Sequence, residues 1–312
     1  MSAIVVGVDG GGTKTRVIVA DESGKPLADL EGPASAVRPG QAERSAEVIA
    51  ETVRRALDEA EMSNVVPRVI CVGVAGVGRE PERQALWQAL AGRELADEVV
   101  VHADATIALD DAFGDGAGVL LIAGTGSVAF GRSPAGVVAR CGGWGPNIGD
   151  EGSGAWIGRR ALSVVTAASD GREPETALTG AILTAAQVND VNDLIAWAAG
   201  ATPAMLATLA PAVISEADAG DLRSNAILSM AVEELVLDVR ALARELFMDE
   251  RAAVPVALTG GLLRRGTTLR KRLEQRMKSA VPGAQLQGGD VDAARGAVRG
   301  ALRFLGGNPA VA

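Results

Sequence analysis

One arrangement of strands and glycine loops occurs twice along this chain. Ile4–Val8 is a continuous apolar run, followed by Asp9-Gly10-Gly11-Gly12-Thr13-Lys14-Thr15 and a second strand-like run, Arg16–Ala20. The turn Asp21–Lys25 then leads into a third strand from Pro26. In the middle of the chain Val119–Ala123 is apolar, Gly124-Thr125-Gly126-Ser127 forms the loop and Val128–Gly131 continues, before Arg132–Gly136 turns into Val137–Arg140. Each copy predicts a three-stranded meander whose first connection is a glycine loop carrying Thr or Ser. Self-similarity on this scale predicts two α+β halves of one design. A chain of 312 residues is long enough for two such domains. The expected division is 1–115 and 116–290, with the joint near Ala112–Gly118, where Gly and Asp cluster.

Between and after the repeats, the hydrophobic period assigns the remaining elements. Ala42–Glu61 has Val48, Ile49, Val53 and Leu57 at helical spacing, and Arg68–Val74 reads as a buried strand ending in Ala75-Gly76-Val77-Gly78. Glu82–Leu90 is expected as a helix, and Glu98–Val101 as a strand ending at His102-Ala103-Asp104. Long helices are expected over Gly154–Ala168, Ala204–Ala217 and Asp221–Phe247, and a strand at Val254–Leu258. A basic helix, Leu263–Lys278, follows that strand. The last helix, Val291–Phe304, carries Ala294, Gly296, Ala297, Gly300 and Ala301, so its backbone can approach a neighbour closely.

The residue inventory removes several mechanisms. Net charge is −9, with no basic cluster of the kind that nucleic acid or anionic membrane requires. No apolar run approaches the roughly 20 residues of a membrane span, and no signal peptide precedes the first strand. A cytoplasmic protein is expected. The one histidine, His102, lies in a strand without a nucleophile elbow, which argues against a Ser-His-Asp triad, and there is no tyrosine. Cys71 and Cys141 make neither a disulfide framework nor a metal-ligand set. What remains for chemistry is carboxylates, backbone amides and a bound metal.

The motifs supply those parts. In Asp9–Thr15 three successive glycines let backbone N–H groups approach phosphate oxygens, so Gly11, Gly12, Thr13 and Lys14 are expected to bind nucleotide phosphates. Asp9, at the end of a buried strand, is placed to hold Mg²⁺ through water. The loop is not a Walker A sequence, because Thr13 stands where Lys is required and a strand follows. Gly124, Thr125 and Gly126 read as a second phosphate loop rather than a dinucleotide turn, since strands follow here too. Asp104, ending a strand beside these loops, is expected to be the general base. In Gly142–Ser153, Trp144 offers an apolar face for a pyranose ring, Asp150 offers an acceptor for its hydroxyls, and Glu151 is expected to cap the next helix. Gly260 and Gly261, in Thr259-Gly260-Gly261-Leu262, are expected to let adenosine rest on backbone at a helix N-terminus.

Together these motifs resemble the N-acetylglucosamine kinase family of the sugar kinase/actin/heat-shock ATPase superfamily, with its bacterial BadF/BadG-type relatives, over essentially the whole chain. The most specific segment is Gly142-Gly143-Trp144-Gly145-Pro146-Asn147-Ile148-Gly149-Asp150-Glu151-Gly152-Ser153. The resemblance implies an α/β fold of two ribonuclease-H-like domains with a central ATP cleft, the first completed by a C-terminal helix at about 291–305. It implies ATP and Mg²⁺ as cofactors and a small-molecule amino sugar as substrate, with a homodimer as an allowed assembly. By the same resemblance Asp104 takes the proton of the sugar 6-hydroxyl, and Thr13 and Thr125 bind ATP phosphates. Ser127, Gly143, Trp144, Gly145 and Asp150 would line the sugar site. Two positions depart from the family pattern: Ala36 and Val128 stand where sugar-recognising asparagines are found.

Two rival functions share the fold. An ATPase that activates a 2-hydroxyacyl-CoA dehydratase or benzoyl-CoA reductase would need cysteines paired around a shared [4Fe–4S] cluster, and Cys71 and Cys141 lack cluster-like spacing. A non-catalytic sugar sensor would not need Asp9, Thr13, Asp104 and both phosphate loops together.

Overall fold

The structure, a computed structural model, describes residues 3–247 and 252–307. They form two compact units. One contains the described residues up to Gly116 together with those from Val291 onward, and the other runs from Ala117 to Asp290.

The first unit is built on β1 (Val5–Gly10), β2 (Lys14–Ala20), β3 (Pro26–Pro33), β4 (Val69–Val74) and β5 (Glu98–Ala103), in the spatial order β3-β2-β1-β4-β5. The meander β1–β3 is antiparallel, whereas β4 and β5 join it in parallel. Helices cover both faces, as buried parallel strands require. Val6 and Val8 point toward Ile49 and Val53 of α1 (Ala42–Glu59) and Leu86 of α2 (Glu80–Ala91). The alternate residues Val5, Val69 and Cys71 point to the other face, against Ile107 of α3 (Asp104–Phe113) and Val298 of the chain's last helix, α11 (Ala293–Leu305).

Small residues let α11 seat on that face. A Cβ on Gly7 would lie 2.5 Å from the Val298 amide nitrogen, and one on Gly296 would overlap the Ile107 carbonyl oxygen. Charge then fixes its register along α3. Asp111, buried to 1% side-chain exposure, accepts two 2.6 Å hydrogen bonds from Arg295 and one of 2.7 Å from the Asp292 amide. Arg299 lies 3.4 Å from Asp111, and Arg303 bridges Asp110 and Asp115. Helix α3 is absent from the sequence expectations, which placed a joint at Ala112–Gly118; its end at Gly114 (φ 59°) is the turn that the Gly-Asp cluster signalled.

The second unit repeats the plan. Its strands β6 (Gly118–Ala123), β7 (Ser127–Arg132), β8 (Val138–Gly142), β9 (Val254–Thr259) and β10 (Ala284–Leu286) lie in the order β10-β9-β6-β7-β8. The same antiparallel meander is extended by two parallel strands. One core joins this sheet to α4 (Gly154–Ser169), α5 (Leu178–Ala186), α6 (Asp193–Ala199), α7 (Pro203–Ala207), α8 (Ala210–Asp218), α9 (Leu222–Leu246) and α10 (Thr268–Ala280), through residues such as Leu121, Ile157, Leu209, Leu235 and Leu273.

Helices α5 and α6 are absent from the sequence expectations, and two expected helices differ in extent. Ala204–Ala217 is broken into α7 and α8, because Pro211 falls in the first turn of α8, where its missing N–H is tolerated. Helix α10 starts at Thr268 rather than Leu263. Gly261–Leu263 is a single 3-10 turn, and Gly266 (φ 85°) interrupts the chain before Thr267 caps α10.

Candidate active site

At the C-terminal end of the first unit's parallel strands two carboxylates sit close together. Asp9 is in register with Gly73 on β4, and Gly73 with His102 on β5. Gly73 faces Ile107 of α3, so Asp9 in the same row faces that side of the sheet as well. Asp104 is the first residue of α3, and one of its oxygens accepts the Ala105 amide at 2.9 Å. A carboxylate suits a helix N-terminus. Burial nevertheless raises the Asp104 pKa against this hydrogen bond.

Asp9 is raised further, to about 6. Burial is the largest cause, the charges of Asp104 and Asp292 add to it, and Arg16 and Lys14 oppose it. Arg16 is itself committed elsewhere: it grips Asp29 with two nitrogens, at 2.8 and 2.6 Å, and reaches Asp292, the cap of α11, at 2.8 Å. The sequence assigns neither Arg16 nor Asp292 a role at the site, since positions so far apart are joined only by the docking of α11.

The loop between β1 and β2 is closed by the Gly11 amide donating to the Lys14 carbonyl at 2.9 Å. Gly12, Thr13 and Lys14 are exposed, and Lys14 pairs with Glu31 of β3. Gly12 is not left-handed, and a Cβ placed there meets nothing within 4 Å. Nothing in the unit's own packing therefore requires glycine at this position. Gly10 is different, because a Cβ there would press on the Ser35 hydroxyl.

The remaining candidates gather at the corresponding end of the second unit. The Gly124 amide donates to the Gly126 carbonyl at 2.9 Å, and the first amides of α4, from Gly154 and Ala155, hold the carbonyls of Gly124 and Thr125. Gly261 leaves open space, and its nitrogen lies 3.7 Å from a Cβ built on Gly124, so two loops meet here. Gly126 and Gly260 are glycine for packing reasons. A Cβ on the first would strike the Asp150 carboxylate, and one on the second, at φ 104°, would overlap the Ala123 carbonyl. Gly260–Gly261 lead into a 3-10 turn, not directly into an α-helix N-terminus as expected.

Asp150 adopts φ 58°, a left-handed conformation uncommon outside glycine, and accepts the Gly145 amide at 3.0 Å. This bond folds the Gly143–Asp150 segment back on itself. Trp144 is 66% exposed, and the Arg140 guanidinium lies 4.7 Å from its ring centre. Ser127 is buried and donates to the Glu151 carbonyl at 2.7 Å, so its hydroxyl already serves the loop. The cap of α4 is Ser153, which accepts the Trp156 amide at 3.2 Å, and not Glu151 as expected. Val128 packs against Gly143, and Ala36 donates its amide to Gly11.

The two cysteines are poor cluster ligands. Cys71 is fully buried, with its thiol pushed up to about 12 by desolvation. Burial and the neighbouring Asp238 push Cys141 up to about 11. His102 is driven toward its neutral form by burial, as a structural histidine would be.

An N-acetyl-D-glucosamine kinase of Dictyostelium discoideum is 32% identical, the match covering 96% of this chain and 98% of the relative. An N-acetylmuramic acid/N-acetylglucosamine kinase of Clostridium acetobutylicum is 33% identical over 83% of this chain and 85% of its own length. A solved Chromobacterium violaceum structure, assigned as an N-acetylglucosamine kinase, superposes with a TM-score of 0.76 at 34% identity, covering 95% of this chain and 98% of that one. The fold is that of the sugar kinases of the actin/hexokinase superfamily. Residues 6–301 match the model of one family, and the chain belongs to it: the BadF/BadG/BcrA/BcrD ATPase family.

Proposed function

We infer that this chain is an ATP-dependent kinase that phosphorylates the 6-hydroxyl of an amino sugar, N-acetylglucosamine or glucosamine. ATP use is the common property of its family, and its relatives are named as amino-sugar kinases. The observation that carries the reading is Asp104. It is a carboxylate of raised proton affinity at a strand end, beside a second carboxylate and the first glycine loop. A general base works best when its pKa lies nearer the operating pH.

In this reading Asp104 accepts the proton of the sugar hydroxyl as its oxygen bonds to the γ-phosphorus and the bond to the departing ADP oxygen breaks. Amides of Gly11, Gly12, Gly124 and Gly126 and the hydroxyls of Thr13 and Thr125 hold phosphate oxygens, while Lys14 adds charge. Gly260 and Gly261 underlie adenosine. Trp144 supplies an apolar surface for the ring, with Ser127, Gly143, Gly145 and Asp150 around it. Asp150 keeps acceptor capacity beyond its bond to Gly145.

A divalent cation fits beside Asp9. Burial and the charges of Asp104 and Asp292 leave negative charge to be neutralised, and among the described residues no three His, Cys, Asp or Glu side chains could hold a metal alone. Water and phosphate oxygens would complete the shell, as Mg²⁺ prefers. When bound, Mg²⁺ supplies neutralisation of charge on the transferred phosphoryl group. The reading includes a cytoplasmic location, where ATP is available, and a homodimeric assembly that sedimentation can measure.

A panel of hexoses and hexosamines scored for ADP release tests the activity. Turnover of glucosamine or N-acetylglucosamine well above that of glucose is the expected result, and it also decides which sugar tolerates Ala36 and Val128. Equal, sugar-independent ADP release would contradict it.

A further inference from the structure

Helix α10 is basic in a chain whose net charge is −9, and the kinase reading leaves most of that charge unused. Arg272 and Arg276 turn toward α9, where they meet Asn225 and Glu233. The other basic residues open on a cavity of about 570 Å³ between α10 and β10. Arg265, Arg270, Lys271 and Lys278 line it with a single carboxylate, Glu274, and Ala284 and Leu286 give it an apolar floor.

Two of the four cations are already paired, Arg265 with Asp290 at 3.2 Å and Arg270 with Glu274, whereas the two lysines are not. Lys271 and Lys278 are exposed and make no ion pair among the described residues. Arg270, with a side chain only 7% exposed, is held from behind: Nε donates to Glu274 at 2.7 Å and Nη1 to the Leu263 carbonyl at 2.8 Å. Its Nη2 has no acceptor among the described residues. A buried guanidinium fixed on one side, with donors left over on the other, is the preorganised part of an anion site. Two flexible lysines at the rim supply charge without demanding one geometry.

We propose that this cavity binds a phosphomonoester: Arg270 Nη2 with Lys271 and Lys278 take the phosphate, and Leu286 and Ala284 take the organic portion. A phosphate dianion carries charge for several cations at once, which a carboxylate cannot match. The site lies wholly within the second unit and shares no residue with the proposed catalytic set.

Backbone amide NMR of the full-length, ¹⁵N-labelled chain locates binding residue by residue. Inorganic phosphate, a hexosamine 6-phosphate and AMP are titrated separately, with acetate as control. The proposal expects saturable shifts at Gly266, Leu286 and Gly288 that weaken at least about tenfold in the Lys271→Gln/Lys278→Gln variant, while any shifts at Gly12 and Gly124 persist. The tightest of the three names the source, and equal binding assigns phosphate itself. Shifts confined to the glycine loops, an undiminished response in the double variant, or an equal response to acetate would each overturn it.

Discussion

Asp9 shares a row with Gly73 and His102, and Asp104 lies two residues beyond His102 at the same end of the parallel sheet, with Gly73, which has no side chain, in the strand between. Each is pushed toward its protonated form by burial, and the Asp104 charge adds to that push on Asp9. The pair is costly to keep ionised, and the fold supports it with the Asp9 neighbours Arg16 and Lys14.

This cost has a sign that can be measured. Asp9 has a folded-state pKa near 6 against an ordinary 3.8, so between those values the folded protein binds more protons than the unfolded chain. Its contribution to stability therefore falls as pH rises through that window and is flat above it. Asp9→Asn removes the penalty. Urea melts at pH 7.5 should show a gain of about 1–3 kcal/mol over the parent, shrinking toward pH 4. Turnover should fall sharply in the same variant. A variant less stable than the parent at pH 7.5 would contradict the electrostatic account.

Some glycines in this chain are required by the packing around them and others are not, and substitution separates the two kinds. Gly296→Ala should cost about 3 kcal/mol or more, because the new methyl meets the Ile107 backbone, which cannot move aside cheaply. Gly12→Ala should leave the melting temperature within a degree or two, since nothing lies within 4 Å of the added carbon. ATP affinity of Gly12→Ala, measured by calorimetry, should nevertheless drop about tenfold or more. Unchanged affinity would remove Gly12 from the phosphate site.

Asp111 fastens α11 to α3. Asp111→Ala leaves Arg295, Arg299 and the Asp292 amide without their shared acceptor, and should cost about 2–3 kcal/mol. The arginines are about half exposed and can turn to water, which keeps the loss below that of a fully buried pair. A chemical-denaturation midpoint equal to that of the parent would show that small-residue packing alone seats the helix.

Local regularities were legible in the sequence. Both meanders, the glycine loops and α1, α4 and α9 follow from apolar periodicity over six or more residues, with Gly marking the turns. What escaped depends on partners far along the chain. Helix α3 is short, and its strongest signal is the match of Asp110, Asp111 and Asp115 to Arg295, Arg299 and Arg303, spaced one helical turn apart on α11. The three-residue β10 is too brief for a period to show. In the site, strand ends and loops identified Asp9 and Asp104, but Arg16 and Asp292, whose opposed charges add smaller effects to the burial that raises the Asp9 pKa, come together only when α11 docks.

Steady-state kinetics of Asp104→Asn tests most directly whether Asp104 is the base for the sugar hydroxyl. The substitution keeps size and a hydrogen-bonding oxygen while removing the basic site, so kcat should fall by roughly 10²–10⁴ with ATP affinity nearly unchanged. Loss of both parameters together would mark a binding role. A kcat within about threefold of the parent would contradict the assignment.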